Sequence, residues 1–194
     1  MQFSLSVALL LYLASGAYSL VATPPSTSID GSFSALVDRD IDTATSVLAD
    51  VKTGFDALAV AVKDFQGDVA PMKAAASSLL GKVESGTTTV KDMTPLSVFD
   101  CLSLIGPAKD LQKQARLLAD QFKAKKNDIQ KYKQCAVTYG FIDQGVADSA
   151  VLIAVIVSKV PDAFQGTVQS QGDKVTQELK NIRDVFASGS CSDS

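Results

Sequence analysis

The chain has 194 residues, 18 Lys and Arg against 21 Asp and Glu, and neither His nor Trp. A mildly negative balance does not provide the concentrated positive face that a nucleic-acid backbone needs. Without His, the Ser–His and Cys–His nucleophile pairs and the common zinc sites are missing. No GxSxG, CxxC or Gly-rich phosphate loop takes their place. The acidic residues are spread at helix-surface spacing. No catalytic residue, no metal and no cofactor is therefore expected.

The N-terminal stretch "MQFSLSVALLLYLASGAYSLVATPPS" has an apolar run from Leu5 to Leu13. That is about half of the roughly 20 residues a membrane-spanning helix needs. Ala17-Tyr18-Ser19 puts small residues where a signal peptidase cuts. Residues 1–19 are expected to be a secretory signal, with Ala22 as a second possible cut, and residues 20–34 a flexible Pro/Ser/Thr leader. "TPPSTS" in the leader is open to O-linked sugar or to none. The remaining residues suit one domain, 35–188, with a short tail at 189–194. No other long apolar run is seen, so no transmembrane segment is expected. "FASGSCSDS" lacks the hydrophobic tail of a lipid-anchor signal. The protein is read as secreted and extracellular, either released or held non-covalently at a surface.

Beyond the leader the periodicity is helical. In "ALVDRDIDTATSVLADVKTGFDALAVAVKDF", Ile41, Leu48, Val51, Phe55, Leu58, Val62 and Phe65 share a face, and Thr45 fills the gap between Ile41 and Leu48. "QGD" breaks this helix near Gly67. Pro71 suits the first turn of a second helix. Thr94-Pro95 reads as the start of a third, which Gly106-Pro107 is expected to kink or split, because proline removes a donor and crowds the preceding turn. Leu111, Ala115, Leu118 and Phe122 carry its seam, and Tyr139-Gly140 reads as its end. The fourth helix, from "DQGVADSAVLIAVIVSKV", is apolar all round at its centre, which predicts burial on most sides. After Pro161, a fifth helix aligns Phe164, Val168, Val175, Leu179, Ile182 and Phe186, with Gln171 between Val168 and Val175. The expected architecture is all-α, an antiparallel bundle of about five amphipathic helices.

Three cysteines remain an odd number for an exported chain. Cys135 and Cys191 lie about one helix length before and after the turn at Pro161. At about 1.5 Å per residue both reach the same end of the bundle. Cys101 lies a long helix away, beyond the Cα reach of about 7 Å that a disulfide needs. The expected pair is Cys135–Cys191, with Cys101 a buried free thiol.

"DRDIDTATSVL" followed by "DALAVAVKDFQGD", then "FDCLSLIGPAKDLQKQARLLADQFKAKK" and "IVSKVPDAFQ", resembles the fungal hydrophobic surface-binding protein A family, also called cell wall galactomannoproteins. The order and separation of these motifs carry the likeness, which spans Val37 to Phe186. The chain departs from the family pattern where Asn127-Asp128 follows Lys125-Lys126 in place of a proline, and in lacking a long Ser/Thr-rich tail. The resemblance implies a secreted all-α fungal protein that binds apolar material without catalysis. Some relatives enclose a long-chain fatty acid in the bundle, and others adsorb to hydrophobic solids.

Small residues are frequent in the seams and the fourth helix has more apolar face than one partner covers, so volume is expected between the helices. The apolar lining expected for a fatty acid or similar lipid is Leu48, Phe55, Leu58, Leu118, Phe122, Ile153, Ile156, Leu179 and Ile182. Thr45, Gln171 and Lys125 are the head-group candidates. The alternative is a structural protein that adsorbs to hydrophobic surfaces without a defined pocket. "KAKKNDIQKYK" is read as a solvated face or as a patch for anionic head groups or cell-wall polysaccharide.

Overall fold

The computed structural model describes the backbone of residues 30–194 and the side chains from Asp40 onward. The predicted signal segment and the "TPPSTS" stretch lie outside the described residues. Five helices follow one another: α1 (Asp30–Lys63), α2 (Ala70–Lys91), α3 (Val98–Lys131), α4 (Cys135–Lys159) and α5 (Asp162–Phe186). The first turn of α1 thus begins inside the segment assigned to the leader.

The links are short and each has a local cause. Between α1 and α2, Gly67 takes φ 114°, and a Cβ there would meet the Tyr132 ring at 2.6 Å. Glycine is required for both reasons. The start of α3 lies later than Thr94-Pro95 suggests. Ser97 is its N-cap and accepts from the Asp100 backbone N–H, while the Asp100 carboxylate accepts from the Ser97 N–H. This reciprocal capping box satisfies two orphan donors at once. Thr94 instead donates to the Asp40 carboxylate from both its backbone and its hydroxyl, tying the α2–α3 link to α1.

α3 runs as one helix through Pro107. The missing donor does not split it, because Leu104 and Leu111 on either side are buried in the core. Its end also differs from the expectation at Gly140, which lies inside α4. The Lys133 N–H donates to the Gln130 carbonyl and the Gln134 N–H to the Ile129 carbonyl, with Lys133 at φ 56°. This is a Schellman closure whose left-handed position holds lysine where glycine is usual.

α4 corrects a further expectation. Its centre is apolar all round, yet it is buried on one face only. Leu152 is in the core while Val151 is 54% exposed. Among the described residues it is the helix long and apolar enough, by length and composition only, to cross a membrane.

The helices close into a ring. α1 packs against α2 and α3, α3 against α5, α5 against α4, and α4 against α2. Each helix thus has two main neighbours, and none occupies the centre. With axes about 8–10 Å apart, the ring centre lies about 8 Å from each axis. A helix with its side chains is about 5–6 Å in radius, so small side chains leave an axial space about as wide as one hydrocarbon chain.

One end of the ring is held covalently. Cys135 and Cys191 form a disulfide with Cα atoms 5.7 Å apart, as expected from helix lengths. Two residues on, the Asp193 carboxylate accepts from the backbone N–H groups of Cys135 at 2.7 Å and Ala136 at 3.0 Å. α4 has no side-chain cap of its own. The tail therefore supplies the acceptor that its positive end favours. Phe122 meets Phe186, and Phe65 meets Tyr132, edge to face at 5.7 and 5.8 Å. At the other end Lys159 donates to the Lys91 and Met93 carbonyls, and the Leu96 N–H donates to the Lys159 carbonyl.

Candidate functional site

Two chambers lie along the ring axis. In the outer one the centre of a water-sized sphere can range over about 90 Å³, within about 840 Å³ of atom-free space that includes its mouth. By the same measures the inner one offers about 40 Å³ and about 580 Å³. Phe55, Val83 and Ser149 line both, so the chambers meet at a waist formed by α1, α2 and α4.

The outer chamber is built from the first half of α3, the second half of α4 and the first half of α5 around Leu48, Val51 and Phe55 of α1. Its mouth lies where the wall residues are only half-buried, at Ile105, Ala108, Ile156, Val168 and Gln171, beside the exposed Thr167. The first turns of α3 expose Val98, Phe99 (80%) and Leu102 just above this rim. The inner chamber lies between the first halves of α2 and α4 and the second halves of α3 and α5, toward the disulfide.

All nine apolar positions expected to line a pocket do line a chamber. Leu48, Ile153 and Ile156 face the outer one, Leu58, Leu118, Phe122, Leu179 and Ile182 the inner one, and Phe55 both. Of the head-group candidates only Gln171 lies on a chamber wall. Thr45 lines neither. Lys125 is at the disulfide end, where its ammonium donates to the Phe65 carbonyl at 3.1 Å and pairs with Asp128 at 3.5 Å. It staples α3 to the end of α1 and is remote from the mouth.

Sequence reasoning missed Thr138 and Ser149, the polar wall residues of α4. They interrupt the apolar series Cys135, Ile142, Val146, Leu152 at helical spacing. The signal that drew attention to Thr45 and Gln171 was therefore present here too. The walls contributed by α2, including Met72, Ala76 and Leu79, were also not singled out as lining.

Gly172 sets the width of the outer chamber. A Cβ on it would come within 2.6 Å of Ile153, so α5 can approach α4 this closely only with glycine there. Neither chamber has an Asp, Glu, Lys or Arg in its wall. Cys101 lines the outer chamber as a buried free thiol. Burial, and secondarily the charge of Asp100, push its pKa up, which keeps it protonated and unreactive. No group of His, Cys, Asp and Glu suited to a metal ion occurs among the described residues.

An uncharged, narrow and apolar tunnel cannot hold an ionised group at depth. It suits a long apolar molecule with its polar end outward. Residues 41–158 match the family model of hydrophobic surface binding protein A. The chain belongs to that family. It is 28% identical over 152 residues to cell wall mannoprotein 1 of Aspergillus fumigatus, covering 78% of this chain and 53% of that protein. The mannoprotein of the same name from Aspergillus flavus is 25% identical over 152 residues, with 78% and 56% covered. The chain thus spans about half the length of these family relatives. In fold it is similar to ligand binding domain 2 of the Penicillium marneffei MP1 protein, solved complexed with multiple arachidonic acids. That likeness has a TM-score of 0.74 and 21% identity, covering 76% of this chain and 96% of the other. AFMP4P, solved in complex with palmitic acid, superposes with a TM-score of 0.71 at 18% identity, covering 76% and 99%.

Proposed function

We propose that this protein binds a long-chain fatty acid in the two joined chambers, with the carboxylate at the mouth beside Gln171 and the hydrocarbon running past Phe55 toward the disulfide end. The observation that carries this reading is the uncharged double chamber at the centre of a helix ring. Burial of the chain supplies the free energy, at about 0.8 kcal/mol per methylene. About ten buried methylenes contribute about 8 kcal/mol before the entropy of association is set against it. Gln171, half-buried on the wall, presents a neutral amide donor to the carboxylate while leaving it in contact with water. The arachidonic and palmitic acid complexes of proteins with this fold support the same ligand class.

The reading extends to location and mode of action. The protein is exported by its N-terminal signal and acts outside the cell, free or at the wall, as a binder that performs no turnover. The Cys135–Cys191 bond supports an oxidising compartment. The two joined apolar chambers favour this function over adsorption to surfaces without a pocket.

Delipidated protein titrated with palmitic acid and followed by calorimetry and native mass spectrometry provides the test. Saturable binding at a defined stoichiometry is expected. A protein that takes up no acid under either measurement refutes the proposal.

A further inference from the structure

Thr138 stands in the wall of the inner chamber, is 1% exposed, and its hydroxyl is a buried polar atom with no hydrogen-bond partner among the described residues. Helical threonines commonly donate back to the carbonyl four residues earlier. Thr53, Thr87, Thr88, Thr89 and Thr176 of this protein all do so. Thr138 does not. Leaving such a group unsatisfied costs free energy, and valine would fill the same space without that cost.

From these observations we infer that the Thr138 hydroxyl recognises a neutral oxygen carried near the far end of the acyl chain. The preferred ligand class is then an oxygenated long-chain fatty acid, bearing a hydroxyl or oxo group close to its methyl terminus. This inference rests on the fatty-acid reading above and refines it.

The chemistry of the chamber narrows the choice of partner. A carboxylate is excluded from this depth, because no cation lines the wall and one neutral hydroxyl cannot replace its hydration. A water at Thr138 would need two to four polar partners. The only other polar side chain of the chamber, Ser149, lies eleven residues along α4, about 16 Å away. A hydroxyl or carbonyl tethered to a hydrocarbon chain is different, because one hydrogen bond meets its need and its apolar neighbours fill the wall. Position agrees with this. Thr138 lies fifteen residues before Ile153 of the outer wall, so it is about 22 Å deeper along α4. That depth corresponds to the distal part of an extended long-chain acid whose head remains at the mouth.

The test compares palmitic acid with 16-hydroxyhexadecanoic acid on the delipidated full chain, in the native protein and in Thr138→Val and Thr138→Ser. Native protein is expected to bind the hydroxy acid at least as tightly as palmitic acid, despite its more polar tail. Thr138→Val should weaken the hydroxy acid about tenfold relative to palmitic acid, and Thr138→Ser should restore the native ratio of the two affinities. Valine is isosteric and removes the unsatisfied hydroxyl, so a folded variant is expected, and a thermal midpoint at or above the native value checks this. If Thr138→Val shifts both acids equally or neither, or if native protein strongly prefers palmitic acid, the inference is overturned while fatty-acid binding stands. If neither acid binds native protein, both readings fall together.

Discussion

At one end of the bundle a disulfide, a tail carboxylate and two edge-on aromatic pairs hold the chain. At the other, hydrogen bonds from Lys159, Leu96 and Thr94 join the segments around an open chamber. The inner half has the smaller cavity and lies beside both aromatic pairs, and the outer half has the larger cavity, with Gly172 packed close to Ile153. A bundle that admits a ligand along its axis must be loose somewhere and fixed elsewhere. Here the disulfide and the tail cap on α4 lie opposite the mouth. The mouth end is closed by hydrogen bonds such as the α3 capping box and the Thr94–Asp40 tie, so helix ends there can separate without breaking a covalent bond.

The largest effect on this contrast is expected from Cys191→Ser. The bond spans 56 residues of separation. Its loss should lower unfolding free energy by about 4 kcal/mol, read as a drop in the urea midpoint that reductant reproduces in the native protein. Next comes the waist. Val83→Phe places bulk between the chambers, and should weaken palmitic acid about tenfold or more while leaving an eight-carbon acid, confined to the outer chamber, nearly unaffected. Equal losses for both chain lengths would show that the chambers do not act in series. Asp193→Ala removes the cap on α4 but leaves the disulfide, and should cost about 1 kcal/mol in denaturant titration with no change in ligand affinity.

The smallest effect concerns Cys101 in the loose half. Its pKa is raised on folding, so the folded protein retains a proton that the unfolded chain loses. Stability from this source is full below the ordinary thiol value of about 8.5 and is lost as pH rises above it. The urea midpoint should therefore fall more steeply from pH 8 to 10 in native protein than in Cys101→Ala. Bound fatty acid should further slow alkylation of the thiol.

Much of this was legible in the sequence because helical spacing reports burial directly. Leu48, Phe55, Leu118, Phe122, Leu179 and Ile182 recur on inward faces, and counting helix lengths was enough to pair Cys135 with Cys191. The disagreements have local physical causes. The α3–α4 boundary was hidden because Lys133, not glycine, takes the left-handed position, and Gly140 then looked like a stop signal when it is an exposed helical residue. The exposed apolar face of α4 could not be read from composition, since an all-apolar helix does not reveal which side its neighbours leave open. Lys125 looked like a rim cation because its carbonyl and carboxylate partners are set by how the α1 and α3 ends meet. Thr138 was missed because a threonine in an apolar series resembles one that bonds back to its own helix. Only the geometry of Gln134 to Ile142 shows that its hydroxyl does not.

The latch formed by Cys191 and Asp193 has a practical consequence for handling the molecule. Because these residues anchor the tail to the start of α4, a fluorophore, bead or surface tether joined after Ser194 sits on the side away from the opening. Such a tether would orient every molecule with its aperture toward the solution, where the proposed capture and release of fatty acid can be followed on a uniform layer.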